Sequence, residues 1–376
     1  MNSSTHFLDL ARPWLTQKTV AWPVLPSSFL HKEQAFSLKA FDLPILLIRS
    51  AEGNLSAHLD RCPHRHVSFF SAGQPPAVQG GTVTCPYHLQ SFDQSGQCIR
   101  SIHDSHPPNE HLVNLTVFEA SGFIWMPVNR ALFKGDRPRQ FTEAEIEDLK
   151  QSLILPKEFD QGLNDPKRFD CRDLFSYLYP LGPWQIVITS AIDHTHGFQV
   201  HQIARVVHRL RRWLGQETLS GMHMVCDDHE KSVLVTYQQY ADSLDAYWKV
   251  GCAPNLWLNK LGNELYIAVI FVPETAQSTR MYGSLDIGKE WCFLLENHPM
   301  MTKLRELSIT NSTEDQPFIE SQTHYLKPGQ LPIGNASVND SPVYHFFKYF
   351  EEITGERVDF HHKPKVSDLF PLNNDP

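Results

Sequence analysis

Two short segments of the chain each pair a cysteine with a histidine, Cys62-Pro63-His64 and Cys85-Pro86-Tyr87-His88. Thiolates and imidazoles are common ligands of transition metals. Zinc accepts two cysteines and two histidines, but its sites usually pair cysteine with cysteine and histidine with histidine along the chain. Because each segment here contributes one ligand of each kind, structural zinc is the less favoured alternative.

Mixed pairs of this kind are what a Rieske [2Fe–2S] cluster requires, since one iron binds two thiolates and the other binds two imidazoles. The segments CPHR, CPYH and FDQSGQC resemble the catalytic (alpha) subunit of Rieske non-haem iron oxygenases. That resemblance implies that Cys62, His64, Cys85 and His88 hold the cluster.

The chain departs from the pattern of that family at three positions. Glycine usually follows each of the two motifs, and an aromatic residue follows the second glycine, whereas this chain has His66, Leu89 and Gln90 there. Glycine lets the backbone approach closely. We therefore expect the replacements to alter the cluster potential and the docking surface, with the ligands unchanged, and we interpret His66 as a loop histidine.

A third group of metal-binding residue types follows in the second half, where Asp193, His196 and His201 have the spacing Asp-x-x-His-x4-His. On a regular helix the two histidines would lie about 140° apart and would not reach one metal. Gly197 lies between them, and glycine lowers the energetic cost of a break in the helix. A histidine-rich amphipathic helix without metal is the alternative interpretation. The competing histidine ligands are His194 and His208.

The resemblance implies that His196 and His201 bind Fe(II) and that a distant carboxylate completes a facial triad. We assign this carboxylate to Asp315 in TEDQPFIESQ, with Glu314 as the alternative one residue earlier. An acidic residue in such a segment is otherwise most often a solvated helix start. Weaker candidates are Asp286 and Asp340.

The resemblance also implies a role for Asp193 between two subunits. The aspartate of the family accepts a hydrogen bond from an iron-bound histidine, here His196, and reaches a cluster histidine, here His88 of a neighbouring subunit. It implies a homotrimer closed by head-to-tail contacts, in which electrons cross from one subunit to the next.

The elements that position these residues are predicted to form an α+β protein. An all-β Rieske domain is expected over residues 20–130, with hairpins around Glu52-Gly53-Asn54 and Ala120-Ser121-Gly122. The segment 129–151 is expected to leave this domain. The resemblance implies a helix-grip catalytic domain, an antiparallel sheet around a long helix, over residues 140–360. Helical patterns cover residues 186–210, 289–307 and 341–355, and strands are predicted in SVLVTYQQY, LYIAVIFVP and RMYGSLDI.

The bulk composition excludes several classes of function. The 376 residues carry a net charge of −9, which argues against a nucleic-acid partner. Seven scattered cysteines indicate reduced thiols in the cytoplasm. We expect no signal peptide and no membrane partner, since the apolar run at 265–272 is too short to span a bilayer.

The resemblance implies an oxygenase that uses O2 and electrons from a ferredoxin or flavin-dependent reductase to hydroxylate, dihydroxylate or oxidatively demethylate a small organic substrate, aromatic compounds included. The alternative is a Rieske electron-transfer protein with a non-catalytic binding domain. Six aromatic residues are candidates for a pocket, although core positions are the commoner explanation: Trp184, Phe198, Tyr240, Trp248, Trp257 and Phe271.

Overall fold

A computed structural model divides the chain into two compact units. The first unit is Thr19–Leu153, and the second joins Met1–Lys18 to Ile154–Pro376. The structure describes residues 7–102, 106, 108–134, 138–153, 169–193, 196, 200–202, 223–229, 233–239, 247–252, 254–261, 265–289, 298–333 and 341–360.

Short antiparallel strands form the framework of the first unit. They form sheets of order β1-β11-β10, β2-β3-β4-β9 and β5-β6-β7-β8. The strands are β1 (Val20–Pro26), β2 (Gln34–Ala40), β3 (Leu43–Arg49), β4 (Leu55–Leu59), β5 (Val78–Gln79), β6 (Thr82–Thr84), β7 (Ser91–Phe92), β8 (Cys98–Arg100), β9 (Asn114–Leu115), β10 (Phe118–Ala120) and β11 (Phe123–Val128).

Both predicted hairpins of this unit are present. Gly53 (φ +99°) turns the chain between β3 and β4, and Ser121 and Gly122 (φ +51° and +76°) turn it between β10 and β11. Positive φ angles are cheap for glycine, which explains why these two sites are readable from sequence.

The first compact unit extends to Leu153. Phe141 N–H donates to Thr116 Oγ1 (3.1 Å), and the Gln140 side-chain amide donates to the Asn114 carbonyl. Helix α1 (Glu143–Ser152) follows, with a capping box between Thr142 and Glu145. The acidic run therefore begins a capped helix that belongs to the first compact unit.

Within the described part of the second unit, one antiparallel sheet has the order β12-β18-β17-β16-β15-β14-β13. Its strands are β12 (Phe169–Tyr179), β13 (His223–His229), β14 (Val233–Gln239), β15 (Tyr247–Cys252), β16 (Leu256–Leu261), β17 (Leu265–Thr275) and β18 (Ser278–Gly288). All three predicted strand segments belong to it, and the α+β class is confirmed.

Three helices of this unit are described, namely α2 (Trp184–Ile192), α3 (His298–Tyr325) and α4 (Ser341–Thr354). Helix α3 is anchored to strand β12, because Tyr179 Oη donates to the Ser312 carbonyl (3.1 Å) and Arg305 Nη2 donates to the Asp173 carbonyl (3.0 Å). The ligand candidates on α3 are thus carried by a long element tied to the sheet.

Aromatic packing joins α2 to α4. Trp184 contacts Phe346, Phe347 and Phe350, with ring centroids 5.1 to 6.3 Å apart. These three phenylalanines recur at helical spacing, so α4 buries one face against α2. Trp257 and Phe271 are also buried, which confirms the core interpretation for the described members of the aromatic set. Phe198 and Tyr240 lie outside the described residues, and the side chain of Trp248 is not described.

Two helix predictions need correction. Helix α2 ends at Ile192, and Asp193 is extended (φ −69°, ψ 111°), so no continuous helix runs from 186 to 210. Helix α3 runs to Tyr325, well beyond the predicted end at 307, although Pro317 lies inside it. No helix among the described residues is long and apolar enough to cross a membrane.

Candidate metal centres

The two Cys/His segments fold into loops with the same backbone turn. His66 N–H donates to the Cys62 carbonyl (2.8 Å), and Leu89 N–H donates to the Cys85 carbonyl (3.0 Å). His66 and Leu89 both adopt left-handed angles, with φ of 57° and 56°. These are the positions where the family has glycine, so the family pattern reflects a backbone requirement that this chain meets with bulkier residues.

Each turn is closed by a second backbone hydrogen bond one residue further along. Cys62 N–H donates to the Val67 carbonyl (2.9 Å), and Cys85 N–H donates to the Gln90 carbonyl (2.8 Å). Val67 packs against the apolar core of the unit, whereas Gln90 is polar and buried. The loops are therefore matched in backbone and differ in the side chain that follows each turn.

A buried carboxylate holds the first loop in place. Asp60 accepts from Ser37 Oγ (2.6 Å), Ser68 Oγ (2.7 Å) and Phe69 N–H (2.8 Å). Three donors compensate the loss of water around a carboxylate that is only 5% exposed. Asp60 thereby fixes both sides of the segment that carries Cys62.

The four ligand candidates converge with their sulfurs buried and their rings further out. Cys62 and Cys85 are 2% and 1% exposed, His88 is partly buried and His64 is exposed. The two imidazole rings lie 4.7 Å apart between centroids. This arrangement presents two sulfurs on the core side and two ring nitrogens toward the surface.

The two sulfurs interact with each other. A hydrogen bond from the Cys62 thiol lowers the pKa of Cys85 to about 6, and the same contact together with burial raises the pKa of Cys62. Backbone N–H groups of Tyr87 and His88 also stabilise the Cys85 thiolate. Adjacent sulfurs with backbone donors and two nearby imidazoles match the donor set of a Rieske [2Fe–2S] cluster.

In the second unit, His196, His201 and Asp315 form a cluster whose ligand atoms all lie within 4.8 Å of one another. Asp315 Oδ1 is 3.4 Å from His196 Nε2 and 3.6 Å from His201 Nε2. The two rings are 5.5 Å apart between centroids. Two imidazoles and one carboxylate that converge in this way fit a facial-triad site for Fe(II).

Each of the two histidines has a carboxylate on the opposite side of its ring. Asp193 Oδ2 lies 3.5 Å from His196 Nδ1, and Glu314 Oε2 lies 3.3 Å from His201 Nδ1. An ionised carboxylate can only accept a hydrogen bond, so a proton on each Nδ1 suits both contacts and leaves the two Nε2 atoms, which face Asp315, for a metal. Both carboxylates therefore fix the orientation of a ligand candidate.

The charges around His196 alter its basicity. Burial lowers the pKa of His196, but hydrogen bonds and charge from Asp193 and Asp315 more than offset that effect and raise the pKa to about 9. A cation bound between the ligands would take the place of this proton.

Glu314 and Asp315 are consecutive on α3 and approach different nitrogens of His201. Glu314 also accepts from the backbone N–H of Gln202 (3.2 Å). Pro317 lies in the next turn, and it lacks the N–H that the Thr313 carbonyl would accept in a regular helix. One backbone hydrogen bond of the regular helix is therefore missing close to the two carboxylates.

The structure brings together most, but not all, of the predicted site residues. Asp286 is buried in β18 and is not part of the cluster, and Asp315 lies inside α3, not at a solvated helix start. His194, His208, Gly197 and Asp340 lie outside the described residues. Sequence reasoning missed the contact of Glu314 with His201 Nδ1, for which an acidic residue next to the ligand candidate was the only signal.

A family profile for the Rieske [2Fe–2S] domain matches residues 21–114. Over 108 residues the chain is 31% identical to the oxygenase component of dicamba O-demethylase from Stenotrophomonas maltophilia. The aligned region covers 28% of this chain and 31% of that one. Over 112 residues it is 33% identical to 4beta-methylsterol monooxygenase from Methylococcus capsulatus, covering 28% of each chain. The matched part thus spans less than a third of the length of these curated relatives.

A solved structure of dicamba monooxygenase with non-haem iron and dicamba resembles almost the whole chain. The TM-score is 0.55 at 16% sequence identity, and the match covers 89% of this chain and 96% of that one. A likeness at this identity establishes a shared fold over both units.

Proposed function

Because the chain carries a Rieske [2Fe–2S] domain on the fold of Rieske oxygenase catalytic subunits, we propose that it is the oxygenase component of a Rieske system. It would use O2 and electrons to hydroxylate, dihydroxylate or oxidatively demethylate a small organic substrate. The observation that carries the proposal is the convergence of His196, His201 and Asp315 in the unit that follows the Rieske domain.

In the Rieske domain, Cys62, His64, Cys85 and His88 are proposed to hold the cluster, which would supply electrons one at a time. The protein buries the two sulfurs, and its backbone N–H groups stabilise the Cys85 thiolate. The exposed position of His64 supports entry of electrons from that side.

In the second unit, His196, His201 and Asp315 are proposed to bind Fe(II), which would supply a site for O2 beside the substrate. Three protein ligands leave coordination positions open. Asp193 and Glu314 would each hold a proton on Nδ1 of the histidine they contact and so leave both Nε2 atoms available as ligands.

We further propose that electrons come from a separate ferredoxin or flavin-dependent reductase and that the active form is a homotrimer. The name of one relative, an oxygenase component, supports a separate electron donor. In the trimer, Asp193 would lie between its own His196 and His88 of a neighbouring subunit, as the sequence resemblance implies. Relatives named for demethylation and for sterol oxidation match equally short parts of the chain, so the proposal includes both kinds of reaction.

Metal analysis combined with variants tests the proposal. The chain should contain about three iron ions, two of them in the cluster, and acid-labile sulfide. His196→Ala, His201→Ala and Asp315→Ala should each lose the mononuclear iron and keep the Rieske absorbance, because two remaining donors hold Fe(II) weakly.

Substrate-dependent O2 uptake with a surrogate reductase, across aromatic acids, methyl ethers and alkylamines, would then identify the reaction. A chain that binds only the two cluster irons would instead be an electron carrier, and one that binds zinc without sulfide would contradict both assignments.

A further inference from the structure

Gln90 occupies a special position beside the two proposed cluster cysteines. Its carbonyl closes the second loop by accepting from Cys85 N–H (2.8 Å), and its side chain crosses to the first loop. Gln90 Oε1 lies 3.9 Å from Cys62 Sγ, and the residue is only 5% exposed. A buried amide thus lies against one of the two sulfurs.

The matched backbone of the two loops makes this contact informative. Val67 is the equivalent of Gln90 in the first loop, since each residue closes its turn through the same backbone bond. Val67 is apolar and packs against the core, so it has no side-chain donor to offer. The amide of Gln90 therefore makes the surroundings of the two sulfurs unequal.

A cysteine that binds iron is a thiolate, which accepts hydrogen bonds and cannot donate one. A carbonyl oxygen facing that sulfur would place two acceptors together. A half-turn of the amide exchanges Oε1 and Nε2 without changing the shape of the side chain. Nε2 then donates to Cys62 Sγ, and the two acceptors no longer face each other.

We infer that the Gln90 side-chain amide donates a hydrogen bond to the sulfur of Cys62 and raises the reduction potential of the cluster. A donor to a ligand sulfur stabilises the reduced cluster more than the oxidised one, because reduction adds negative charge. This inference rests on the proposed binding of a Rieske cluster by Cys62 and is independent of the substrate and of the mononuclear iron.

The test compares holoprotein variants that keep the backbone of the loop. Gln90→Met retains an unbranched side chain of similar length and removes the donor. Gln90→Glu retains the shape and replaces the donor with an acceptor. Gln97→Met is the matched control, because Gln97 lies in the same unit and its amide donates to the Cys98 carbonyl (3.4 Å), not to a proposed ligand.

Midpoint potentials would be measured by redox titration followed by EPR, with iron and sulfide content determined in parallel. Both Gln90 variants should titrate at a lower potential than the wild type and shift the Fe–S stretching bands in resonance Raman spectra, whereas Gln97→Met should do neither.

A wild-type potential in Gln90→Met or Gln90→Glu would overturn the inference while the proposed function stands. A wild-type chain that assembles no [2Fe–2S] cluster would overturn both.

Discussion

The Glu314→Ala substitution tests whether Glu314 orients His201 or is itself a metal ligand. The substitution removes the acceptor of His201 Nδ1–H at 3.3 Å and of Gln202 N–H at 3.2 to 3.3 Å. Gln202 is exposed, so water replaces the second contact, but the His201 side chain is only 16% exposed. The main expected effect is therefore a histidine ring that is less well fixed toward the metal.

Loss of such a partner typically weakens metal binding by about 10- to 100-fold, which corresponds to roughly 1.4 to 2.7 kcal/mol. Glu314→Gln keeps an oxygen that accepts from Nδ1–H and loses only the charge, so we expect less than about a 10-fold effect. Asp315→Ala removes the oxygen that faces both Nε2 atoms, and we expect no measurable retention of the metal.

Equilibrium dialysis of the cluster-loaded chain against Fe(II) or Co(II), with metal analysis, measures these affinities. Glu320→Ala is the matched control, because Glu320 is on the same helix and accepts from the Gln316 amide (2.6 Å), not from a histidine. The reasoning is refuted if Glu314→Ala binds metal as tightly as the wild type. If it loses the metal as completely as Asp315→Ala does, Glu314 is itself a ligand.

Three further perturbations probe other parts of the chain. Burial lowers the pKa of His58 to about 4, although its hydrogen bond with Asn114 partly offsets this. In the unfolded chain the pKa of His58 is about 6.5, so below that pH the unfolded chain binds a proton that the folded chain does not bind. The free energy of unfolding is therefore unaffected above about pH 6.5 and falls by up to about 3 kcal/mol as the pH drops to 4. Urea unfolding at several pH values should show this loss in the wild type. In His58→Gln the unfolding free energy should depend less steeply on pH. Leu89→Gly should stabilise the first unit by about 0.5 to 1 kcal/mol, because it removes the steric cost of a left-handed backbone at leucine, and this gain exceeds the entropic cost of glycine in the unfolded chain. An unchanged or lower unfolding free energy would contradict this. Asp193→Asn should keep both metal centres, because it leaves every proposed ligand in place, but it can present an N–H to His196 where an acceptor is needed. It should therefore lose most turnover, and stopped-flow reoxidation of the cluster at the wild-type rate would exclude Asp193 from the electron path.

The cluster loops were readable from the sequence because their chemistry is local. Cysteine and histidine are close together in each segment, and the turn that joins them needs few residues. The strands were readable for a similar reason, since Gly53 and Gly122 indicate the hairpin turns. The left-handed angles of His66 and Leu89 were not readable from residue type, because neither residue favours that conformation.

The second centre was only partly predictable. The spacing of His196 and His201 required a break in the helix, and the structure ends α2 at Ile192. The distinction between Asp315 and Glu314 depends on how α3 is placed against the histidines, which local pattern does not determine. The assignment of the ligand set to Fe(II) and of Asp193 to electron transfer stays a prediction.

The sequence pattern predicted this helix only to residue 307, whereas α3 runs to Tyr325 and contains Pro317, a residue type that usually ends or kinks a helix. Here the helix continues, and Tyr179 contributes an external donor to the Ser312 carbonyl near the proline turn. This contact comes from strand β12, which is distant in sequence, so a short sequence window around the proline cannot predict it.

The proposed iron ligands come from parts of the second unit that are far apart in sequence. Asp315 is carried by a 28-residue helix, whereas His196 and His201 lie outside the described helices α2 and α3. Metal binding would therefore connect the segment that carries His196 and His201 to α3, and local opening between the two would release the ion. At a free metal concentration of about 100 times the Kd, the cost of such opening rises by roughly 2.7 kcal/mol. Susceptibility of this segment to proteases and to hydrogen exchange should thus report iron occupancy.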